Sequence, residues 1–159
     1  MKFLIAPNSI VEEGAAVGEG TKVWYFCHIR EKAVIGRDCS IGDDCYIDNG
    51  VIVGDRVRIG NRTDIYNGAI IKNDVIIGPG VKITNVRKPS PYHKAKKFLD
   101  TIVEEGVTIE ANATILGGIK IGKGAIIGAG ATVVYDVADG LFVAGCLARV
   151  PRSLRKENE

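Results

Sequence analysis

An aliphatic β-branched residue recurs at every sixth position along almost the whole chain. From Ile5 the series runs through Val11, Val17, Val23, Ile29, Ile35, Ile41, Ile47, Val53, Ile59, Ile65, Ile71, Ile77 and Ile83. It stops there and resumes as Val103, Ile109, Ile115, Ile121, Ile127 and Val133. An amphipathic helix repeats its apolar residues near every 3.6 positions and a half-buried strand every second one. A strict period of six fits neither alone. It fits a very short strand followed by a corner, repeated many times.

The other positions of the six obey the same rule. Gly often follows the anchor (Gly18, Gly36, Gly42, Gly54, Gly60, Gly78, Gly122, Gly128), and small or β-branched residues sit four after it (Ala15, Thr21, Ala33, Val51, Val57, Ala113, Ala125, Ala131). Between them lie pairs such as Glu13-Gly14, Asn49-Gly50, Asn67-Gly68, Pro79-Gly80 and Lys123-Gly124, which suit a corner needing positive φ. One repeat per side and three sides per turn predict an all-β triangular prism of parallel strands. About seven coils at a strand spacing of ~4.8 Å make it roughly 30 Å tall. Such a prism exposes unpaired ladder edges at its ends, so a cap or an oligomer is expected. Of the four cysteines, Cys27, Cys39 and Cys45 fall at the small position; Cys146 does not, and no C-x-x-C pair exists.

In so regular a scaffold, the places where the rule fails are the candidate functional positions. The first is Trp24-Tyr25-Phe26-Cys27-His28, which puts aromatics at a corner where other coils carry Asp, Asn, Glu or Gly. The second is the interruption after Ile83-Thr84-Asn85-Val86. Residues 87–102 carry Arg87, Lys88, His93, Lys94, Lys96 and Lys97 against the single acid Asp100, a basic loop suited to phosphates or carboxylates. If this loop adds no net side, the corner Gly117-Gly118 stacks above Asn85, and a ligand could lie close to backbone there. Asn85 also heads a column with Asn67 and Asn49, each eighteen residues apart, the lower two read as turn residues. The third break is the C-terminal segment 139–159, read as a cap with a basic tail containing Arg149 and Arg152. The whole chain is read as one domain, with coils 5–86 and 103–138 around the inserted loop.

Composition narrows the partners. With 159 residues, 46% of them hydrophobic, the chain can bury one core; 21 Lys and Arg against 19 Asp and Glu lack the footprint of a general nucleic-acid binder. No apolar run reaches the length of a membrane span, and Met1 to Pro7 is too short for a signal peptide, so a soluble cytoplasmic protein without membrane contact is expected.

The hexads, the internal loop and the C-terminal segment resemble the left-handed parallel β-helix of hexapeptide acyltransferases that use acetyl-CoA. Handedness comes from this resemblance alone, because crossover rules favour the other hand. More narrowly, residues 23–29, 84–86 and 105–115 (Val-Trp-Tyr-Phe-Cys-His-Ile, Thr-Asn-Val and Glu-Gly-Val-Thr-Ile-Glu-Ala-Asn-Ala-Thr-Ile) are similar to nucleotide-sugar 3-N-acetyltransferases, in particular those acting on UDP-2-acetamido-3-amino-2,3-dideoxyglucuronate. The resemblance implies that Asn85 holds the amino sugar near the thioester. Trp24, Tyr25, His28, Tyr66, Asn67, Thr84, Arg87, Lys88 and His93 would line the acceptor. Gly117, Gly118, Ala129 and Gly130 would meet the pantetheine arm, and Arg149 and Arg152 the CoA phosphates. It implies a homotrimer with sites between subunits. Three departures stand out: Tyr25 replaces a first His, Leu147 a Pro, and Ser90 an Arg expected at the sugar's acidic end, where Arg87 or Lys88 would compensate.

A sugar amine flanked by electron-withdrawing oxygens titrates nearer the α-amino range, about 8, than the lysine range of about 10. Positioning then matters more than a general base, and backbone amides are expected to stabilise the oxyanion. An O-acetyltransferase would need a His base, His93 or His28. A non-catalytic β-helix scaffold is the alternative from another class. The γ-class carbonic anhydrases share the prism but need three His per metal; two His in total fail that count, and no metal is expected.

Overall fold

In the computed structural model, residues 2–87 and 98–147 are described. Twenty-one strands, nearly all two residues long, form a left-handed parallel β-helix, with no helix among the described residues. They stack into three parallel sheets of eight, seven and six strands. The first face runs from Leu4–Ile5 through Lys22–Val23, Ser40–Ile41, Arg58–Ile59, Ile76–Ile77, Thr108–Ile109 and Ile126–Ile127 to Phe142–Val143. The second comprises Ile10–Val11, His28–Ile29, Tyr46–Ile47, Asp64–Ile65, Lys82–Ile83, Thr114–Ile115 and Thr132–Val133. The third comprises Ala16–Val17, Val34–Ile35, Ile52–Val53, Ala69–Ile71, Thr101–Val103 and Lys120–Ile121.

The register explains the period. Each anchor pairs with the one eighteen residues on, as Ile29 with Ile47 and Ile65, so every third anchor shares a face. All anchors from Val23 to Val133 are buried, whereas Ile5, Val11 and Val17 belong to the open first coil and are not. The small positions line the corners inside. Where they are Thr or Cys, the side chain donates to a carbonyl of the coil above: Thr21 Oγ1 to Gly36 O at 2.8 Å, Cys27 Sγ to Gly42 O at 3.0 Å, Thr63 Oγ1 to Gly78 O at 3.0 Å. Burial without an orphaned polar group accounts for these residues, including three of the cysteines.

Three sequence expectations are corrected. The interruption ends sooner than residue 102, because Thr101–Val103 already pairs with Ala69–Ile71. It adds no net side, since Ile83 pairs with Ile115. The prism also continues past residue 139: Val137 bridges Ile121, and Val143 pairs with Ile127. Each of these steps is sixteen residues rather than eighteen. The last coil is two residues short, so the count of six fails after Val133 although the fold does not. Finally, corners are not confined to Asp, Asn, Glu and Gly. Phe26, Lys32, Arg56, Arg62 and Leu147 all adopt φ between 57° and 60°. For the first four, the strands on both sides hold the corner in a region that disfavours side chains by about 1–2 kcal/mol each.

Candidate functional site

The corner between the second and third faces is where the chain departs after Asn85. Four side chains fasten it to the coil above. Thr84 Oγ1 accepts from Gly117 N at 3.0 Å and donates to Ile115 O at 3.3 Å, while Thr101 Oγ1 accepts from Gly118 N at 2.9 Å. Arg87 donates from Nε to Gly117 O at 2.9 Å and from Nη2 to Gly118 O at 3.3 Å. Leu99 covers Gly118, whose φ is +77°. A Cβ on Gly117 would lie 2.6 Å from the Asn85 carbonyl carbon.

The sequence placed these glycines over Asn85, and they stack there. The room left by their missing side chains, however, is filled by the chain itself rather than left for a ligand. At the four positions expected to offer backbone contacts to pantetheine, the N–H groups are engaged internally: Gly117 and Gly118 as above, Ala129 N with Glu110 Oε2 at 2.9 Å, and Gly130 N with Ala111 O at 2.8 Å. Arg87, expected on the acceptor, is committed to the two glycine carbonyls. Asn67 donates from Nδ2 to Asn49 O, and Asn49 from Nδ2 to Glu31 Oε1 at 2.7 Å. Half-buried Asn85, at the head of that column, makes no side-chain hydrogen bond to another described residue.

The second face carries a polar and aromatic column below that corner. The rings of His28 and Tyr46 meet edge-on at 5.8 Å, and those of Tyr46 and Tyr66 at 5.7 Å. Glu12 Oε1 lies 2.7 Å from both His28 Nε2 and Arg30 Nε, the latter an ion pair without a directed hydrogen bond. Arg30 donates from Nη1 to the Tyr46 hydroxyl at 3.1 Å, and that hydroxyl donates to Asp48 Oδ1 at 3.1 Å. One coil higher, Lys82 Nζ and Asp64 Oδ2 are 2.7 Å apart. The Glu31 backbone N–H, Arg30 and His28 together hold the Glu12 carboxyl down at about 2, from an ordinary value of 4.5. An ionised Glu12 accepts, so Nε2 of His28 carries the proton. A depressed carboxylate stabilises the fold fully above its unfolded pKa and loses that contribution as pH falls through the folded one. Melting temperature should therefore fall between about pH 4.5 and 2 more steeply in the wild type than in Glu12→Gln. Parallel curves for the two proteins would remove Glu12 from the network.

The aromatic motif is divided by a corner. Trp24 lies on the first face, its Nε1 donating to Ser40 Oγ at 3.2 Å, while His28 lies on the second. Tyr25 and Phe26 make the corner between them, 44% and 61% exposed. Trp24 and His28 thus do not share one wall. Lys88, His93, Arg149 and Arg152 lie outside the described residues. Glu12, Arg30, Tyr46, Leu99 and Thr101 were not singled out from the sequence. Stepping by eighteen from His28 reaches Tyr46, and from Glu12 reaches Arg30, so the signal was present for that column.

Residues 32–63, 50–85 and 100–134, together more than half of the chain, match the family described as bacterial transferase hexapeptide (six repeats). Among curated relatives, a 2,3,4,5-tetrahydropyridine-2,6-dicarboxylate N-acetyltransferase of Clostridium perfringens is 47% identical over 58 residues, which is 36% of this chain and 25% of that protein. The Staphylococcus aureus enzyme of the same name is 55% identical over 49 residues, 31% of this chain and 20% of that one. The matches therefore span a quarter or less of those relatives. Among solved structures, the acetyltransferase domain of PglB from Neisseria gonorrhoeae in complex with acetyl coenzyme A superposes with TM-score 0.61 at 23% identity, over 94% of this chain and 57% of that one. The polySia-specific acetyltransferase NeuO superposes with TM-score 0.62 at 24% identity, over 98% and 80%. At these identities the superpositions establish the fold.

Proposed function

We propose, for a chain that belongs to the bacterial transferase hexapeptide family, acetyl transfer from acetyl-CoA to the amine of a nucleotide-linked amino sugar, the 3-amino group of a UDP-linked sugar in glycan biosynthesis. The observation that carries this reading is the Asn85 corner. There the ladder opens, a half-buried amide is left without a partner among described residues, and the basic segment departs. The acetyl-CoA seen in the Neisseria structure and the N-acetyl transfer named for the Clostridium and Staphylococcus relatives support donor and reaction class.

Asn85 orients the acceptor so that its neutral amine meets the thioester carbonyl. The new C–N bond forms, the C–S bond breaks, and the departing sulfur takes the proton from nitrogen. His28 is not the base for this step. It lies three rungs below Lys82, about 14 Å along the prism at ~4.8 Å per rung. Any three-fold axis parallel to the prism keeps that height difference, so no neighbouring copy brings another His28 closer. Positioning therefore carries the chemistry.

The third face supports a homotrimer. Val34 and Ile52 are 45% and 46% exposed in a column with Ala16, Ile70 and Ile102, beside Gly18, Gly36 and Gly54. Such a flat apolar stripe suits another copy.

The test is release of CoA thiol from acetyl-CoA with a panel of 3-amino and 4-amino nucleotide sugars. Turnover with a 3-amino sugar should fall roughly 100-fold in Asn85→Ala, the scale for losing one orienting hydrogen bond at a reacting centre. His93→Ala should retain it. Silence across the panel, with no heat of CoA binding, would leave a non-catalytic scaffold.

A further inference from the structure

The first face carries two cations that the fold does not neutralise. Lys22, Ser40 and Arg58 stand in register on successive strands, with Ser40 between the two charges. Neither Lys22 nor Arg58 makes an ion pair among the described residues. The second face contrasts with this: Arg30 is held 2.7 Å from Glu12, and Lys82 2.7 Å from Asp64. Beside the cation column the positions above Trp24 are Gly42, which is buried, and Gly60, which is half-buried. Those glycines are required by the stacking of the corners, since a Cβ on Gly60 would meet Pro79 N at 2.5 Å.

The Trp24 indole reaches across to the cation column. Its Nε1 donates to Ser40 Oγ at 3.2 Å, yet the residue stays 39% exposed. A large ring fixed by a hydrogen bond but left uncovered presents a ready stacking surface. Lys22, Trp24, Asp38, Ser40 and Arg58 line a concavity of about 320 Å³. The charged groups of Lys22 and Arg58 arise two rungs apart, about 10 Å at ~4.8 Å per rung. Long side chains from those points can converge on one pyrophosphate at the Ser40 hydroxyl. Asp38 adds one negative charge and leaves the site with an excess of one positive charge.

We infer that this face binds a nucleoside diphosphate, with Lys22, Ser40 and Arg58 on the phosphates and the base against Trp24. The inference rests on the proposed reaction only in naming the ligand as the nucleotide end of the acceptor. It places that end on the first face, so one acceptor meets the Asn85 corner, on another side of the prism, only where the first face of one copy adjoins that corner of its neighbour.

Trp24 is the chain's one tryptophan, so its emission reports this site alone. Titration with UDP should quench it saturably. Affinity should fall at least tenfold in Arg58→Ala and in Lys22→Ala, and fall as salt is raised. Lys123→Ala, which removes a cation from the far end of the prism, should bind as the wild type does. Unchanged melting temperatures confirm that the variants are folded. No saturable quenching, or equal affinity in both cation variants, would overturn the site. So would inorganic pyrophosphate binding as tightly as UDP, because the base would then contribute nothing. The two readings fail separately. Acetyl transfer with an unchanged KM in Arg58→Ala sinks this site and leaves the reaction. Arg58-dependent UDP binding without turnover on any amino sugar keeps the site and sinks the reaction.

Discussion

Gly117→Ala is expected to melt about 5–10 °C below the wild type and to lose most of its turnover. The added Cβ would lie 2.6 Å from the Asn85 carbonyl carbon and 2.9 Å from Val86 N. Both are backbone atoms in a closed corner, and no rotamer change relieves them. Relief requires the coil carrying Asn85 to move away from the coil above. That loosens Gly117 N from Thr84 Oγ1 and Arg87 Nε from Gly117 O, the contacts that hold the Asn85 amide in place. Overpacking of this kind costs about 1–3 kcal/mol. Gly124→Ala is the comparison. Gly124 has φ +66° but nothing within 4 Å of its added Cβ, so only the backbone penalty of about 1–2 kcal/mol applies. It should melt closer to the wild type and keep full activity. Thermal melts and CoA release on the two variants separate the cases. Wild-type turnover in a folded Gly117→Ala would show that the position of Asn85 is not what the corner protects.

That corner shows both what the sequence yields and what it withholds. Counting by six placed Gly117 above Asn85 correctly, because the interruption adds no net side and the count resumes in register after it. The reason for the glycine does not follow from counting. A missing side chain serves a close-lying ligand and a close-lying backbone equally well, and only coordinates show that Asn85 and Leu99 occupy the space. Arg87 poses a related problem. Its charge is visible in the sequence, but its commitment to two carbonyl oxygens depends on which way the chain turns after Asn85. On the second face the information was present and diluted. Glu12, Arg30 and Tyr46 sit at outward positions where any polar residue is tolerated, so nothing marks them until rungs eighteen residues apart are laid over one another. The C-terminal coil failed differently. Shortened by two residues, it lost the period while keeping the ladder, and Phe142–Val143 was taken for a cap instead of the last strand of the first face.

The prism's one-dimensional construction makes a further prediction, in which the same substitution has unequal cost along the chain. Ile65 is fully buried, and its strand pairs with Tyr46–Ile47 below and Lys82–Ile83 above. Ile65→Ala should cost about 2–5 kcal/mol, the range for emptying a packed core position. Ile5 has the same role in the repeat but sits on the open first coil, 37% exposed, with one neighbouring strand, Lys22–Val23. Ile5→Ala should cost about 1 kcal/mol or less, because little apolar surface is lost from the core. The character of the transition should differ as well. In a stack where each coil touches only its neighbours, stability is a sum of coil and interface terms. A weak central coil uncouples the two ends, whereas a weak terminal coil only frays. Trp24 reports from the second coil, while far-ultraviolet circular dichroism reports the whole ladder. Denaturant unfolding followed by both should coincide in the wild type and in Ile5→Ala and should separate in Ile65→Ala. Equal costs at the two positions, or coincident curves in a strongly destabilised Ile65→Ala, would mean that the prism melts as one unit whose cooperativity its end coils share.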